Sequence, residues 1–129
     1  MFYNNYQKNE TNYIKEVKLG KYAYVVIPYQ VKKDKLDEAK QIISELITNV
    51  KEKEPGVLLY QSLQLKKDPT SFIHYMIFAD DDAHLTHRSA PYVLDFVNKL
   101  YKICPTEPFP LFLDNFESCG VMLDQVKNS

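Results

Sequence analysis

PGVLLYQSLQLKKDPTSFIHYMIFADDDAHLTHRSAPYVLDFVNKLY, residues 55–101, decides the fold of this 129-residue chain. Val57 to Lys66 (VLLYQSLQLK) and Ser71 to Ala79 (SFIHYMIFA) are apolar, strand-like runs. Residues 66–70 between them form a turn centred on Asp68-Pro69, so the two runs pair as a hairpin. Asp80, Asp81 and Asp82 then open a short helix, where the helix dipole favours negative charge. Ser89 is placed to cap a second helix with Pro91 in its first turn. Val93, Phe96, Val97, Leu100 and Tyr101 give that helix an apolar stripe.

Upstream, the run from Tyr22, YAYVVIPYQV, is β-branched and aromatic, a strand that Pro28 should confine to an edge or an end. Asp34 is placed to cap a helix reaching about Lys53, with Leu36, Ala39, Ile43, Leu46, Ile47 and Val50 on one face and Ile42 beside them. Pro55-Gly56 ends it. Downstream, Cys104 to Pro110 is a proline-rich connection, and Leu111 to Ser118 (LFLDNFES) reads as a last strand. Residues 1–20 form a loose arm whose Tyr3, Tyr6 and Tyr13 are available to dock, residues 21–120 the single domain, and 121–129 a polar tail.

The order β-α-β-β-α-β specifies an α+β, ferredoxin-like fold with a four-stranded antiparallel sheet. Its third strand is apolar on both sides, with Ile73, Tyr75 and Ile77 opposing Phe72, Met76 and Phe78. Helices cover one face. The other needs cover too, and a second copy of the chain is the simplest partner.

Composition narrows function. Net charge is −1, from 16 basic and 17 acidic residues interspersed, which gives no footprint for nucleic acid or for an anionic membrane. No apolar run approaches the ~20 residues of a membrane span, and the N-terminal stretch lacks the apolar centre of a signal peptide. Cys104 and Cys119 lack CxxC spacing, so reduced thiols in the cytoplasm are expected; a disulfide would need the fold to set them side by side.

The junction Glu54-Pro55-Gly56, the hairpin and the run from Phe78 through Asp80–Asp82 to His87 resemble the antibiotic biosynthesis monooxygenase (ABM) family, over roughly residues 22–118. The usual wording there is an aromatic, acidic residues, then H-x-x-S before a helix. Here His87 is followed directly by Arg88 and Ser89, and the aromatic Phe78 lies nine residues before His87. The resemblance implies a dimeric α+β barrel with a pocket in each subunit between sheet and helices. For characterised members it implies oxygenation of phenols or quinols without metal or organic cofactor.

In the quinol-oxidising members an Asn and a Trp lie four apart on the third strand, facing the pocket. His74 and Phe78 stand at those positions, on one face with Met76, and this chain has no Trp. His74 is a candidate base that would take a phenolic proton and leave an electron-rich phenolate for O2; the plainer reading is a core histidine with satisfied nitrogens. His87 is the second catalytic candidate, or a residue of the pocket rim. Phe78, Met76, Tyr24, His84 and Arg88 are candidate substrate contacts, with Arg88 suited to an anionic group. His74, His84 and His87 are enough donors for a zinc or iron site, but no supporting carboxylate pattern accompanies them, and neither metal nor cofactor is expected. Asp80–Asp82 serve the helix dipole rather than a cation. The haem-degrading relatives use an Asn on the first strand, where this chain has Val25-Val26-Ile27-Pro28. Three readings follow: a cofactor-independent monooxygenase of a small phenol, a non-catalytic dimeric module binding a small apolar or aromatic ligand, and a haem-binding relative.

Overall fold

The computed structural model describes residues 22–120; the expected arm at 1–20 and tail at 121–129 lie outside them. The elements are β1 (Ala23–Gln30), a 3-10 turn (Lys33–Lys35), α1 (Leu36–Lys53), β2 (Val57–Gln64), β3 (Ser71–Phe78), α2 (Asp81–Ser89), α3 (Pro91–Lys102) and β4 (Leu111–Leu113). The strands form one sheet in the order β2-β3-β1-β4, with every neighbouring pair antiparallel. This is the α+β, ferredoxin-like arrangement that the element order specifies.

Side chains alternate across the sheet, so register sorts them into two faces. Opposite His74 lie Ile27 on β1 and Ser62 on β2; opposite Met76 lie Val25 and Tyr60. This face meets the helices. Ala39, Ile42, Ile43, Leu46 and Val50 of α1 recur at helical spacing and pack with Val93, Phe96 and Leu100 of α3, Tyr29 and Phe72 in the main core. Val25, Met76 and Phe78 form a smaller cluster at the far end of the sheet. The other face presents Tyr24, Val26, Ile73, Tyr75 and Ile77, with Leu63, Leu111 and Leu113 exposed.

Four local expectations change. Asp34 does not cap α1: it sits inside the 3-10 turn, whose Lys35 N–H to Lys32 O bond (2.9 Å) leads the backbone into the helix with no side-chain cap. Ser89 ends α2 instead of capping α3. Ala90 is the N-cap residue, extended (φ −68°, ψ 138°) because the following Pro91 disfavours helical backbone there. The final strand stops at Leu113, since Asp114 and Asn115 are poor strand formers. Pro28 lies in a central strand, tolerated because β4 pairs only with Tyr24, Val25 and Val26 and leaves that edge of β1 without a strand partner beside Pro28. Asp80 behaves as expected: its Oδ1 accepts from the Ala83 N–H at 2.8 Å, capping α2.

Cys104 is buried, Cys119 is exposed, and both are free thiols. Among the described residues no helix is long and apolar enough to cross a membrane.

The Glu54-Pro55-Gly56 junction matters through space, not through backbone handedness. A Cβ on Gly56 would lie 2.7 Å from the Ala83 Cβ, so only glycine lets the start of β2 pass this closely to α2. Gly56→Ala is therefore expected to lower unfolding free energy by about 1–3 kcal/mol in urea titration, as overpacking does. The further change Ala83→Gly should recover part of that loss; equal stability of wild type and Gly56→Ala would contradict the contact.

Candidate functional site

A cavity of ≈ 190 Å³ lies between the helix-facing side of β1 and β3, helices α2 and α3, and residues 108–112. Its lining is chiefly apolar, with Val25, Ile27, Met76, Phe96 and Leu100 prominent. A void of about 150 Å³ suffices for benzene, so this one has room for a single substituted ring. The polar side chains that reach the cavity are Tyr29, Tyr60, His74, His84, His87, Arg88 and Tyr101.

His74 is 1 % exposed and sits at a three-strand junction. Its Nε2 lies 2.7 Å from the Tyr29 hydroxyl of β1 and 3.0 Å from the Ser62 hydroxyl of β2, and its Nδ1 lies 2.9 Å from the Tyr60 hydroxyl. Burial pushes its pKa down to about 4, so the ring is neutral at physiological pH. A neutral imidazole has one N–H and one lone pair. Whichever nitrogen carries the proton donates to a hydroxyl oxygen, and the other accepts from a hydroxyl across the ring. If Nδ1 donates, the Tyr60 proton is left over; if Nε2 donates to Tyr29, the Tyr29 proton is. Burial raises both tyrosines well above the usual range, so they stay protonated and one can donate toward the cavity. His74 is thus an organiser of hydroxyls, with both nitrogens engaged.

His87, 6 % exposed, has the opposite character. Its Nδ1 lies 3.0 and 3.1 Å from the two carboxylate oxygens of Glu54, itself only 7 % exposed at the end of α1. The Tyr92 hydroxyl donates to the same carboxylate at 2.6 Å. Burial lowers the His87 pKa, with Glu54 pulling the other way. The neutral ring then donates Nδ1–H to Glu54. Among the described residues nothing hydrogen-bonds its Nε2, whose lone pair is left to a ring that lines the cavity. A carboxylate that fixes the tautomer and a free imidazole nitrogen are the two parts a general base needs.

At the rim, the Arg88 guanidinium donates through Nη1 to His84 Nδ1 at 2.9 Å, and the His84 ring meets Phe112 edge-on at 5.7 Å. Of the side chains predicted from sequence, His74, His87, Met76, His84 and Arg88 come together in the lining. Phe78 is fully buried beneath them, its ring 4.9 Å from His84 and 5.3 Å from His87, and supports the site without lining it. Tyr24 is a correction: it pairs with Ile77 and Leu113 on the face away from the helices and is absent from the lining, while Tyr29 takes the inward position. Among the described residues no three His, Cys, Asp or Glu side chains converge as metal ligands would.

Sequence reasoning missed Glu54, Tyr60, Ser62 and Tyr92. Glu54 ends the run Lys51-Glu52-Lys53-Glu54, which looks like a solvated helix end; its position just before Pro55-Gly56 was the usable signal. Tyr60 and Ser62 were legible only through the register that sets them beside His74.

The His74 network carries a pH signature. Its pKa is depressed in the folded state, to about 4 from 6.5, so the unfolded chain binds more protons in that window. Stability present above pH 6.5 is lost on acidification toward pH 4, by about 3 kcal/mol from this group. His74→Gln, which keeps a donor and an acceptor but does not titrate, is expected to show a shallower acid loss in urea titrations; identical slopes would contradict a neutral buried imidazole.

Residues 23–99 match the antibiotic biosynthesis monooxygenase family profile. No curated protein matches the chain. The fold is similar to a candidate antibiotic biosynthesis monooxygenase from Caulobacter crescentus CB15 (TM-score 0.70, 23% identity, covering 81% of this chain and 98% of that one). It is similar also to one from Bacteroides thetaiotaomicron VPI-5482 (TM-score 0.70, 17% identity, 81% and 96%) and to a conserved protein from Methanosarcina mazei Go1 (TM-score 0.70, 19% identity, 76% and 96%). At these identities the structures share a fold. The sequence match spans more than half of the chain, which therefore belongs to the antibiotic biosynthesis monooxygenase family.

Proposed function

We propose that this protein is a cofactor-independent monooxygenase of a small phenol or quinol held in the cavity between sheet and helices. The observation that carries the reading is His87 Nε2, free of protein partners among the described residues, on a ring in the cavity wall with its Nδ1 held by buried Glu54. A module that merely holds an apolar ligand has no use for a buried carboxylate–imidazole pair in the cavity wall, so the binding-module reading is less favoured.

In this mechanism His87 Nε2 takes the phenolic proton and Glu54 stabilises the imidazolium that forms. The phenolate gives one electron to O2, and the phenoxyl and superoxide radicals combine at a ring carbon bearing hydrogen. The leftover hydroxyl proton of Tyr29 or Tyr60 is a donor for the developing anion. Loss of the ring hydrogen and cleavage of the O–O bond give the quinone, and the His87 proton leaves with hydroxide as water. One phenol and one O2 thus yield one quinone and one water. The protein works in the cytoplasm, where its thiols stay reduced.

Metal-stripped protein is expected to consume O2 with members of a phenol and quinol panel. His87→Gln should lower kcat by about 10²–10⁴-fold, with a smaller loss for Glu54→Gln. Because the base must be neutral and its pKa is lowered, activity should persist somewhat below pH 6.5 and fall on further acidification. Undiminished uptake by His87→Gln, or none with any panel member, would end the proposal.

We further propose a homodimer through the sheet face that carries Tyr24, Val26, Ile73 and Tyr75, supported by the exposed Leu63, Leu111 and Leu113 on the same side. Sedimentation velocity should give a dimer; a stable monomer at micromolar concentration would refute it.

A further inference from the structure

Arg88 is the one permanently charged side chain in the cavity lining, and no carboxylate lines the cavity among the described residues. It forms no ion pair among them either; those present are Lys35–Glu38 and Lys99–Asp95. The guanidinium is nevertheless held in place, since one N–H is given to His84 Nδ1. His84 is itself fixed, stacked at a tilt on fully buried Phe78 and edge-on to Phe112. A guanidinium carries five N–H donors in a rigid fork, so most of Arg88's remain for a ligand.

The exposed members of the lining locate the mouth. Arg88, Phe109 (65 % exposed) and Phe112 (68 % exposed) stand at the solvent end, while His74 and Met76 lie at the closed end. Burial and the Arg88 charge both lower the His84 pKa, so that ring is neutral and adds no second cation. A fixed cation at the mouth of an apolar, ring-sized void is complementary to a flat molecule with one anionic end. Beside aromatic walls the pair is partly shielded from water, which strengthens it relative to a fully solvated arginine.

We propose that Arg88 is an anion anchor and that the ligand is a single-ring aromatic acid. Its carboxylate lies against the guanidinium at the mouth, and its ring enters between α2 and residues 108–112. The inference rests on the cavity being the ligand site and names the substrate class that the proposed chemistry acts on. It places the ionised substituent outward and the phenolic end inward, toward the polar groups of the floor.

Calorimetric titration with para-hydroxybenzoate and para-hydroxybenzamide under nitrogen tests it without oxygen chemistry. The two probes have nearly the same shape and differ in charge. Wild type is expected to bind the acid about tenfold more tightly than the amide, the size of a charge-assisted hydrogen-bonded pair at a half-exposed site. Arg88→Gln should abolish that preference, leave the amide affinity within about twofold, and melt at the wild-type temperature, since the side chain is exposed. Equal affinities in wild type, an acid preference that survives Arg88→Gln, or no binding of either probe would each overturn the proposal. Acid preference without oxygen uptake from any phenol would sink the oxygenase reading alone and leave the anchor standing.

Discussion

A buried carboxylate at the end of a helix has to be answered by its surroundings, and much of this molecule is arranged to answer Glu54. Leaving such a group unpaired would cost about 3–5 kcal/mol, a large share of the stability of a domain this size. His87 brings α2 to it and Tyr92 brings α3, while the chain leaving Glu54 turns at once through Pro55-Gly56 into β2. The same turn presses Gly56 against Ala83, so α2 is fixed by one polar contact and one steric one. The pair therefore locates α2 on the sheet, and α2 carries three of the polar residues of the cavity, His84, His87 and Arg88. In the proposed mechanism the same carboxylate also steadies the base.

His74 is the counterpart on the sheet. It ties β1, β2 and β3 through hydroxyls instead of charge, with the Tyr29 and Ser62 hydroxyls converging on Nε2 and that of Tyr60 on Nδ1. The cavity floor is thus hydrogen-bonded internally yet holds hydroxyl protons beyond the one that the ring accepts. The two buried histidines divide the work: one has both nitrogens engaged and sets donors in place, and the other keeps a nitrogen open. Burial depresses both, but only His87 has a carboxylate to receive the charge when it takes a proton.

Much of the fold was legible because its signals are periodic or local. The apolar stripes of α1 and α3, the hairpin about Asp68-Pro69 and the Asp80 cap each follow from spacing or from a side chain bonding a nearby backbone group. Asp34 and Ser89 misled because cap chemistry competes with backbone geometry, and a 3-10 turn or a proline one residue on can move a helix start. The site was legible in part. The histidines announce themselves by type, and strand alternation sets His74 with Met76. Which of Tyr24 and Tyr29 turns inward is not written in β1, whose two sides are about equally apolar; pairing with β3 decides it. Glu54 was hidden because a charged residue at a helix end is ordinarily solvated, and only the packing of two other helices shows that this one is not.

The edge of the sheet beside β4 has a consequence of its own. β4 covers only Tyr24 to Val26, and past that point residues 105–109 run alongside Pro28, Tyr29 and Gln30, forming a shallow cleft with them. Prolines are concentrated there: Pro28 in the strand, then Pro105, Pro108 and Pro110 in the covering segment. None of these four has an N–H to donate, so each interrupts the ladder that its rail could offer to a foreign strand. That stretch of the sheet edge is thereby a poorer template for strand addition, without a further strand to seal it.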